Sequence, residues 1–187
     1  MSFRPDLSSA FESDRLLEHR VVLVNGHLDG NAAAELAAKL VMLDTASDEP
    51  IMLHLRTPDA DLSAAFTVVD TIGLIASPVH AIAVGEVGGS ALAVLAAAQR
   101  REMTRHAMLR LREPAAEYQG TAEEVGVWQE QHAELVDALY TKLAEVTGRQ
   151  ADEVREDCRT GRLLTALDAL GYGLVHDIAG AAVPPGL

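Results

Sequence analysis

The residues of this chain that are able to attack a carbonyl group are few, and the clearest candidate is a serine in a glycine-rich turn. Ser90 follows Gly88 and Gly89 and precedes a run of small apolar residues. A serine acts as a nucleophile only if a base takes its proton and a further group orients that base. A serine in this position is more often a helix N-cap. The turn therefore leaves a nucleophile and a cap as alternatives.

The histidines are the candidate bases. His106 merits the closest attention because it lies shortly after the serine turn, at the edge of an apolar segment. The others, which are more typical of surface or half-buried positions, are His19, His27, His54, His80, His132 and His176. No Cys/His spacing fits zinc and no phosphate-binding glycine loop is present, so we expect neither a metal nor a cofactor.

Composition and charge limit the classes of function. The chain has 187 residues, is 49% apolar and carries a formal net charge of −13. Such a charge repels phosphate backbones and argues against nucleic-acid partners. No apolar run is long enough to cross a membrane, and the start of the chain lacks the pattern of a secretory signal. With a single cysteine, Cys158, the sequence predicts a cytoplasmic protein without membrane contact.

Strand and helix patterns alternate along one domain spanning 1–187, with loosely ordered ends at 1–10 and 180–187. A strand pattern at Val21–Val24 precedes a helix at Ala32–Leu43. Further strand patterns occupy Pro50–Leu55, Val79–Val84, Ala107–Leu111 and Leu174–Ile178, and further helical patterns occupy Asp61–Ile75, Ala91–Ala98 and Thr165–Gly171. In the second helix we expect Phe66, Val69, Ile72, Leu74 and Ile75 to be buried. The arginine-rich segment 100–112 predicts a solvated hairpin, or alternatively a contact with an acidic partner.

A long helical pattern, Ala122–Val146, extends further than a compact domain requires. A helix of this kind usually packs against another subunit. The alternation elsewhere requires parallel strands joined by right-handed crossovers, hence an α/β fold. Periodicity leaves a doubly wound sheet and a spiral of βαβ units equally open.

Several motifs, in order, resemble the proteolytic subunit of the Clp protease, an ATP-dependent serine peptidase. Asp70-Thr71-Ile72 is similar to its Tyr-Asp-Thr-Met helix, and Gln119-Gly120-Thr121-Ala122 is similar to the start of its handle helix. Thr147-Gly148 and Tyr172-Gly173-Leu174 match later segments. The resemblance covers roughly residues 11–178. It implies the spiral of βαβ units that this family shares with crotonases, with a protruding handle helix.

The resemblance also locates the three catalytic positions, and each holds another residue type. Gly85 and the alanines before Gln99 place Gly89 where the family has its serine. Pro114 places Arg112 at the histidine, and a guanidinium stays protonated and cannot act as a base. The catalytic aspartate becomes Gly161. A register shifted by one residue would instead make Ser90 the nucleophile.

Two further family motifs are altered. The oxyanion segment Ser-Pro-Gly-Gly reads Thr57-Pro58-Asp59-Ala60, so Asp59 and Ala60 stand at the oxyanion-hole position. A carboxylate there opposes a developing negative charge. The Glu-Arg pair that links rings in the family becomes Arg159-Thr160. Met52 and His54 replace aromatic residues of the cleft that docks the Clp ATPase, which puts that docking in doubt.

The sequence therefore predicts a catalytically inactive relative of the Clp proteolytic subunit, with a structural or regulatory role. The resemblance implies self-assembly into a heptameric ring or double ring, alone or with an active Clp subunit. Two alternatives stay open. One is an active serine endopeptidase using Ser90 with a displaced base such as His106. The other is a crotonase-like acyl-CoA enzyme or binding module.

Overall fold

The computed structural model describes residues 15–116 and 120–180, and the predicted alternation of strands and helices is confirmed there. The elements, in chain order, are β1 Val21–Asn25, α1 Gly30–Ala46, β2 Ile51–Arg56, α2 Leu62–Leu74, β3 Val79–Ala83, β4 Glu86–Gly88, α3 Ala91–Ala97, β5 Arg100–Thr104, β6 Met108–Arg110, α4 Ala122–Thr147, α5 Ala151–Thr160, β7 Leu163–Leu164, α6 Ala166–Tyr172 and β8 Asp177–Ala179. Of the ends expected to be loosely ordered, only Gly180 lies within the described residues.

The strands form two sheets within the described residues. The larger sheet has the order β1-β2-β3-β5-β8, and every pair in it is parallel. The smaller sheet has the order β4-β6-β7, with β4 and β6 parallel and β6 and β7 antiparallel. The chain leaves the first sheet after β3, enters the second through β4 and returns through β5. This alternation between sheets positions the glycine-rich turn beside the ends of β2 and β6.

The core lies between the larger sheet and its helices. Alternate residues of β2, namely Ile51, Leu53 and Leu55, are at most 1% exposed, as a strand covered on one face requires. Helix α1 presents Leu36, Leu40 and Leu43 to this layer, and Asp29 caps its first turn by accepting from the Ala32 N–H at 2.8 Å. Helix α3 is a short run of small residues that is almost entirely buried.

Helix α4 is anchored at one end only. Leu139, Tyr140 and Leu143 in its C-terminal half are buried, whereas Val127 and Trp128 in its N-terminal half are 50% and 40% exposed. Thr121 and Glu124 form a capping box at its start, and Gly148 ends it in the left-handed conformation. A helix of 26 residues extends about 39 Å, so its first half projects from the body as predicted.

The predicted arginine hairpin is wrong. Strands β5 and β6 do not pair with each other, because β5 lies between β3 and β8 whereas β6 lies between β4 and β7. Arg101 is not solvated either: it is 7% exposed and donates to the carbonyls of Leu174 at 2.9 Å and Ala98 at 3.3 Å. Buried carbonyls at helix ends need donors, and this guanidinium supplies them for the residues that follow α3 and α6.

Other differences concern element ends. Leu74, predicted as buried, is 86% exposed because α2 ends there, past the last buried residue Ile72. The predicted turn before Gly89 contains β4, and neither α5 nor β7 was predicted. The last strand begins at Asp177, three residues later than predicted, although Leu174 and Val175 are buried.

Candidate functional site

Three chain segments meet at the turn that follows β4. The Gly88 N–H donates to the Thr57 carbonyl at 3.1 Å, which joins the turn to the end of β2. The Gly89 N–H donates to the Arg110 carbonyl at 3.1 Å, which joins it to β6. These bonds bring together the segments that carry Gly89, Asp59 and Arg112, three positions that the sequence singled out.

The Gly89 position is filled by a neighbouring carboxylate. Gly89 has φ +53°, a left-handed conformation that favours glycine. A Cβ built on it would collide with Oδ1 of Asp59, far closer than real Cβ atoms come to any atom, and would lie 3.8 Å from Nη2 of Arg112. The Asp59 side chain therefore occupies the space that a side chain at position 89 requires.

Arg112 holds that carboxylate in place. Nη2 of Arg112 donates to Oδ2 of Asp59 across 53 positions of sequence. The two side chains are 46% and 35% exposed, so the pair is open to solvent and stabilises the fold only modestly. The pair matters more for the chemistry of the site than for stability. The charged group nearest to Gly89 is the Asp59 carboxylate, and its charge is compensated by the Arg112 guanidinium. The guanidinium stays protonated and cannot act as a base for a hydroxyl at this position, and the carboxylate is engaged in an ion pair with it.

The Gly161 position adjoins Arg112 through the antiparallel register of β6 and β7. Arg110 pairs with Leu163, and the Leu111 N–H donates to the Arg162 carbonyl at 2.9 Å, which brings Arg112 opposite Gly161. Gly161 ends α5 with φ +72°, and a Cβ on it would meet nothing within 4 Å. The three positions assigned by resemblance to the triad thus lie together, without a nucleophile, a base or an orienting carboxylate.

A polar network that the sequence analysis did not predict fixes the segment around Gly161. The Tyr172 hydroxyl donates to Asp157 at 2.8 Å, and Arg162 donates to both oxygens of the same carboxylate at 3.0 and 3.1 Å. Arg149 stacks on the Tyr172 ring at 4.0 Å. Burial, reinforced by the bond to Asp157, raises the pKa of the tyrosine. No local spacing marks this network, since its members come from α5, α6 and two loops.

Ser90 and His106, the fallback nucleophile and base, are not brought together. Ser90 is 1% exposed, and its hydroxyl has no hydrogen-bond partner in the described part of the chain. It stands at the start of α3, but its side chain does not cap that helix. His106 is exposed in the turn before β6, and Met108 pairs with Glu86 at the first residue of β4. Ser90 follows the other end of β4, so β4 separates the two residues.

The altered oxyanion segment is held by backbone contacts. The Leu28 N–H donates to the Asp59 carbonyl at 3.3 Å, and the Asp61 N–H donates to the Leu28 carbonyl at 2.9 Å. Ala60 is 6% exposed, whereas the Asp59 side chain turns towards Gly89. The segment therefore presents a negative group where the resemblance implies donors to an oxyanion.

A cleft of about 440 Å³ opens next to these residues, between the start of α2 and the exposed half of α4. Leu62, Trp128 and Leu135 give it apolar walls, and Asp61 and Gln131 give it polar ones. Among the described residues, no group of three or more His, Cys, Asp or Glu side chains is arranged to hold a metal ion. Helices in the described ranges are also too short or too polar to cross a membrane.

Comparisons with known proteins agree with this architecture. A curated relative, the ATP-dependent Clp protease proteolytic subunit 1 of Nocardia farcinica, is 31% identical over 87% of this chain and 84% of its own length. The corresponding subunit of Thermobifida fusca is 26% identical over 88% of this chain and 76% of its own length. A solved structure, a ClpP1 mutant from Listeria monocytogenes, superposes with a TM-score of 0.79 at 21% identity, covering 89% of this chain and 95% of that one.

The structural similarity confirms the predicted α/β fold of the Clp type, with a mostly parallel sheet and flanking helices. The sequence model of the family described as Clp protease matches residues 8–182, nearly the whole chain. Together with the Nocardia relative, this match shows that the chain belongs to the Clp protease family.

Proposed function

We propose that this chain is a catalytically inactive member of the Clp protease proteolytic subunit family, with a structural or regulatory role in a ring-shaped proteolytic complex. The observation that carries the proposal is the Asp59–Arg112 ion pair, which fills the space above Gly89. Peptide hydrolysis by this family's mechanism needs a nucleophile, a base and an oxyanion site at that place. Here the same place holds a glycine, a guanidinium and a carboxylate.

Self-assembly is part of the proposal. Rings are general in this family, and the half-exposed start of α4 offers an apolar surface to another copy. The number of subunits, heptamer or double heptamer, and mixing with an active Clp subunit are predictions. Arg159, at the position that the resemblance assigns to the family's ring-linking pair, donates to its helix neighbour Glu156 at 2.6 and 2.8 Å, and a role for it in ring contacts stays a prediction.

The active-peptidase alternative gains no support from the geometry. It requires the Ser90 hydroxyl to reach a substrate, but that hydroxyl is buried and His106 lies beyond the far end of β4. The acyl-CoA alternative rested on the shared fold alone, and no observation favours it over the family that the sequence matches.

A fluorophosphonate probe tests the proposal directly. The wild-type protein should remain unlabelled and should not cleave fluorogenic peptides. The variant Asp59→Gly/Gly89→Ser/Arg112→His/Gly161→Asp rebuilds the missing groups and should become labelled at position 89, whereas Gly89→Ser alone should not. Labelling of wild-type protein at Ser90, abolished by Ser90→Ala, would overturn the proposal. Native mass spectrometry of the protein, alone and with an active Clp subunit, tests assembly separately.

A further inference from the structure

The carboxyl ends of three parallel strands meet beside the site and frame a second cavity. Strand β1 ends at Asn25, directly before Gly26, strand β2 ends at Arg56, and β3 leads through Val84 into Gly85. The Gly26 N–H donates to the Arg56 carbonyl at 2.9 Å, and the Val84 N–H donates to the Leu55 carbonyl at 2.7 Å, so these ends are held side by side. In parallel α/β sheets, ligands bind outside the carboxyl ends of the strands.

The cavity at these strand ends has a volume of about 330 Å³ and is lined by Gly26, Arg56, Pro58, Gly85 and Glu86. Gly26 and Gly85 adopt φ +85° and +71°, conformations that favour glycine. Because neither carries a side chain, the cavity stays open at both strand ends. The Arg56 side chain lies over Gly85, with Nε 3.4 Å from the point where a Cβ would stand.

The charges around the cavity leave one cation uncompensated. Arg56 is exposed, and within the described part of the chain its guanidinium has neither a hydrogen-bond nor an ion-pair partner. The carboxylate that lines the cavity, Glu86, already accepts from Arg110 at 2.8 Å. The carboxylate of the lining is thus already paired with an arginine outside it, and Arg56 is left as the cation of the cavity, although the chain as a whole has a net charge of −13.

We propose that this cavity, which we call the Arg56 pocket, binds a carboxylate group of an acidic peptide. The planar guanidinium fork matches a carboxylate with two parallel hydrogen bonds, and the missing Cβ atoms of Gly26 and Gly85 give the peptide backbone room to approach. Pro58 directly precedes Asp59, so a peptide held here would run beside the Asp59–Arg112 pair. The proposal goes beyond the proposed function, since it requires no statement about hydrolysis.

Calorimetric titration of the protein with short peptides tests whether the Arg56 pocket binds a carboxylate. The probe is a hexapeptide with blocked ends that contains two glutamates, and its glutamine counterpart is the negative control. The glutamate peptide should bind at low salt and weaken as salt rises, while the glutamine peptide should not bind. Arg56→Gln should weaken binding roughly tenfold or more, and Arg56→Lys should restore part of it.

Two further variants distinguish loss of the contact between Arg56 and the peptide carboxylate from a general loss of protein stability. Glu86→Gln should tighten binding, because it removes the only carboxylate among the described residues that line the pocket and frees Arg110. Arg100→Gln removes another exposed arginine of the same sheet, which is already paired with Glu102 at 2.5 Å, and it should leave peptide binding unchanged. Equal weakening by Glu86→Gln and Arg56→Gln would overturn the proposal.

A second source of carboxylates is another copy of this acidic chain. If the wild-type protein binds neither peptide while Arg56→Gln lowers the mass of its assembly in native mass spectrometry, the carboxylate comes from a neighbouring copy and the proposal is wrong. If Arg56→Gln weakens peptide binding at unchanged assembly mass, the proposal holds. Both results are independent of probe labelling at positions 89 and 90, so this inference and the proposed function fail separately.

Discussion

At the scale of single residues, Asp59, Gly89 and Arg112 behave as one unit. The carboxylate of Asp59 enters the space above Gly89 only because glycine has no Cβ, and Arg112 compensates its charge. The three residue types therefore depend on one another: the glycine leaves the space, the carboxylate fills it and the arginine compensates the charge. A serine introduced alone at position 89 would therefore compete with the Asp59 carboxylate for the same space, and loss of Arg112 alone would leave that carboxylate without its partner.

The variant Gly89→Ser should destabilise the protein by about 1–3 kcal/mol, because a side chain at φ +53° is strained and also displaces the Asp59 carboxylate from its place beside Arg112. Gly161→Ser is the matched control: φ is +72° there, but nothing lies within 4 Å of its Cβ, so only the backbone cost of roughly 1 kcal/mol applies. Urea unfolding measures both.

The double variant Asp59→Gly/Gly89→Ser isolates the collision. Its loss of stability should be smaller than the sum of the two single losses, since removing the carboxylate frees the space. Strict additivity of the two changes would show that Asp59 does not occupy the Gly89 position.

At the scale of elements, the helices are joined to the strands by polar contacts at their ends as well as by apolar packing. The carboxylate of Asp44, near the end of α1, accepts from the N–H groups of Ala76 at 3.0 Å and Ser77 at 2.8 Å. This contact fixes the segment between α2 and β3 and hence the start of β3. The backbone hydrogen bond from Ser77 is the main cause that holds the pKa of Asp44 below its ordinary 3.8.

The sign of this shift predicts a pH dependence. Because the folded-state pKa of Asp44 is lower than the unfolded one, the carboxylate stabilises the fold above pH 3.8, and this contribution disappears as the pH falls through the folded-state value. Asp44→Ala should therefore lower the unfolding free energy at pH 7 and should differ little from wild type in strong acid. Urea unfolding across this range measures both.

Asp48→Ala provides the control for that series. Asp48 is exposed and follows α1 by two residues. Its substitution therefore removes a nearby carboxylate while the contact of Asp44 with Ala76 and Ser77 stays in place. It should have little effect at any pH. A constant difference between Asp44→Ala and wild type from pH 7 into strong acid would contradict the ionic origin of the contribution.

At the scale of the whole molecule, the C-terminal half of α4 packs against the core, whereas its N-terminal half is largely exposed. Val127 and Trp128 are half-exposed apolar residues on a projecting helix of an otherwise strongly acidic chain. Apolar residues in this position are typical of a surface that another subunit covers. The proposed assembly through this half of α4 would leave the Arg56 pocket, at the ends of β1 to β3, on a separate part of the molecule.

Val127→Glu should lower the mass of the assembly in native mass spectrometry without lowering the melting temperature of the separated subunit, because the residue packs little against its own domain. Val41→Glu places the same charge on a similarly exposed apolar site of α1, Val41 being 48% exposed, and should leave the mass unchanged. An assembly unaffected by Val127→Glu would contradict contact through this half of α4.

Much of the fold could be predicted from local sequence, for a physical reason. Period-two and helical patterns, capping residues and glycines depend on neighbours within a few positions, so β1, β2, β3, α1, α2 and α4 were predicted with ends correct to a few residues. The order of short motifs also indicated the family, which the comparisons confirm. Gly89, Arg112 and Asp59 were singled out in the same way.

Only the tertiary structure decided which of these elements and side chains meet. Strands β5 and β6 have similar local patterns, yet packing assigns them to different sheets, and Arg101 is buried because Leu174 and Ala98 offer it carbonyls there. The Asp59–Arg112 pair spans 53 positions, and no local propensity encodes a contact at that separation. By itself, the sequence determined the residue types at the positions that the resemblance assigns to the triad; the fold determined that the Asp59 carboxylate fills the space above Gly89.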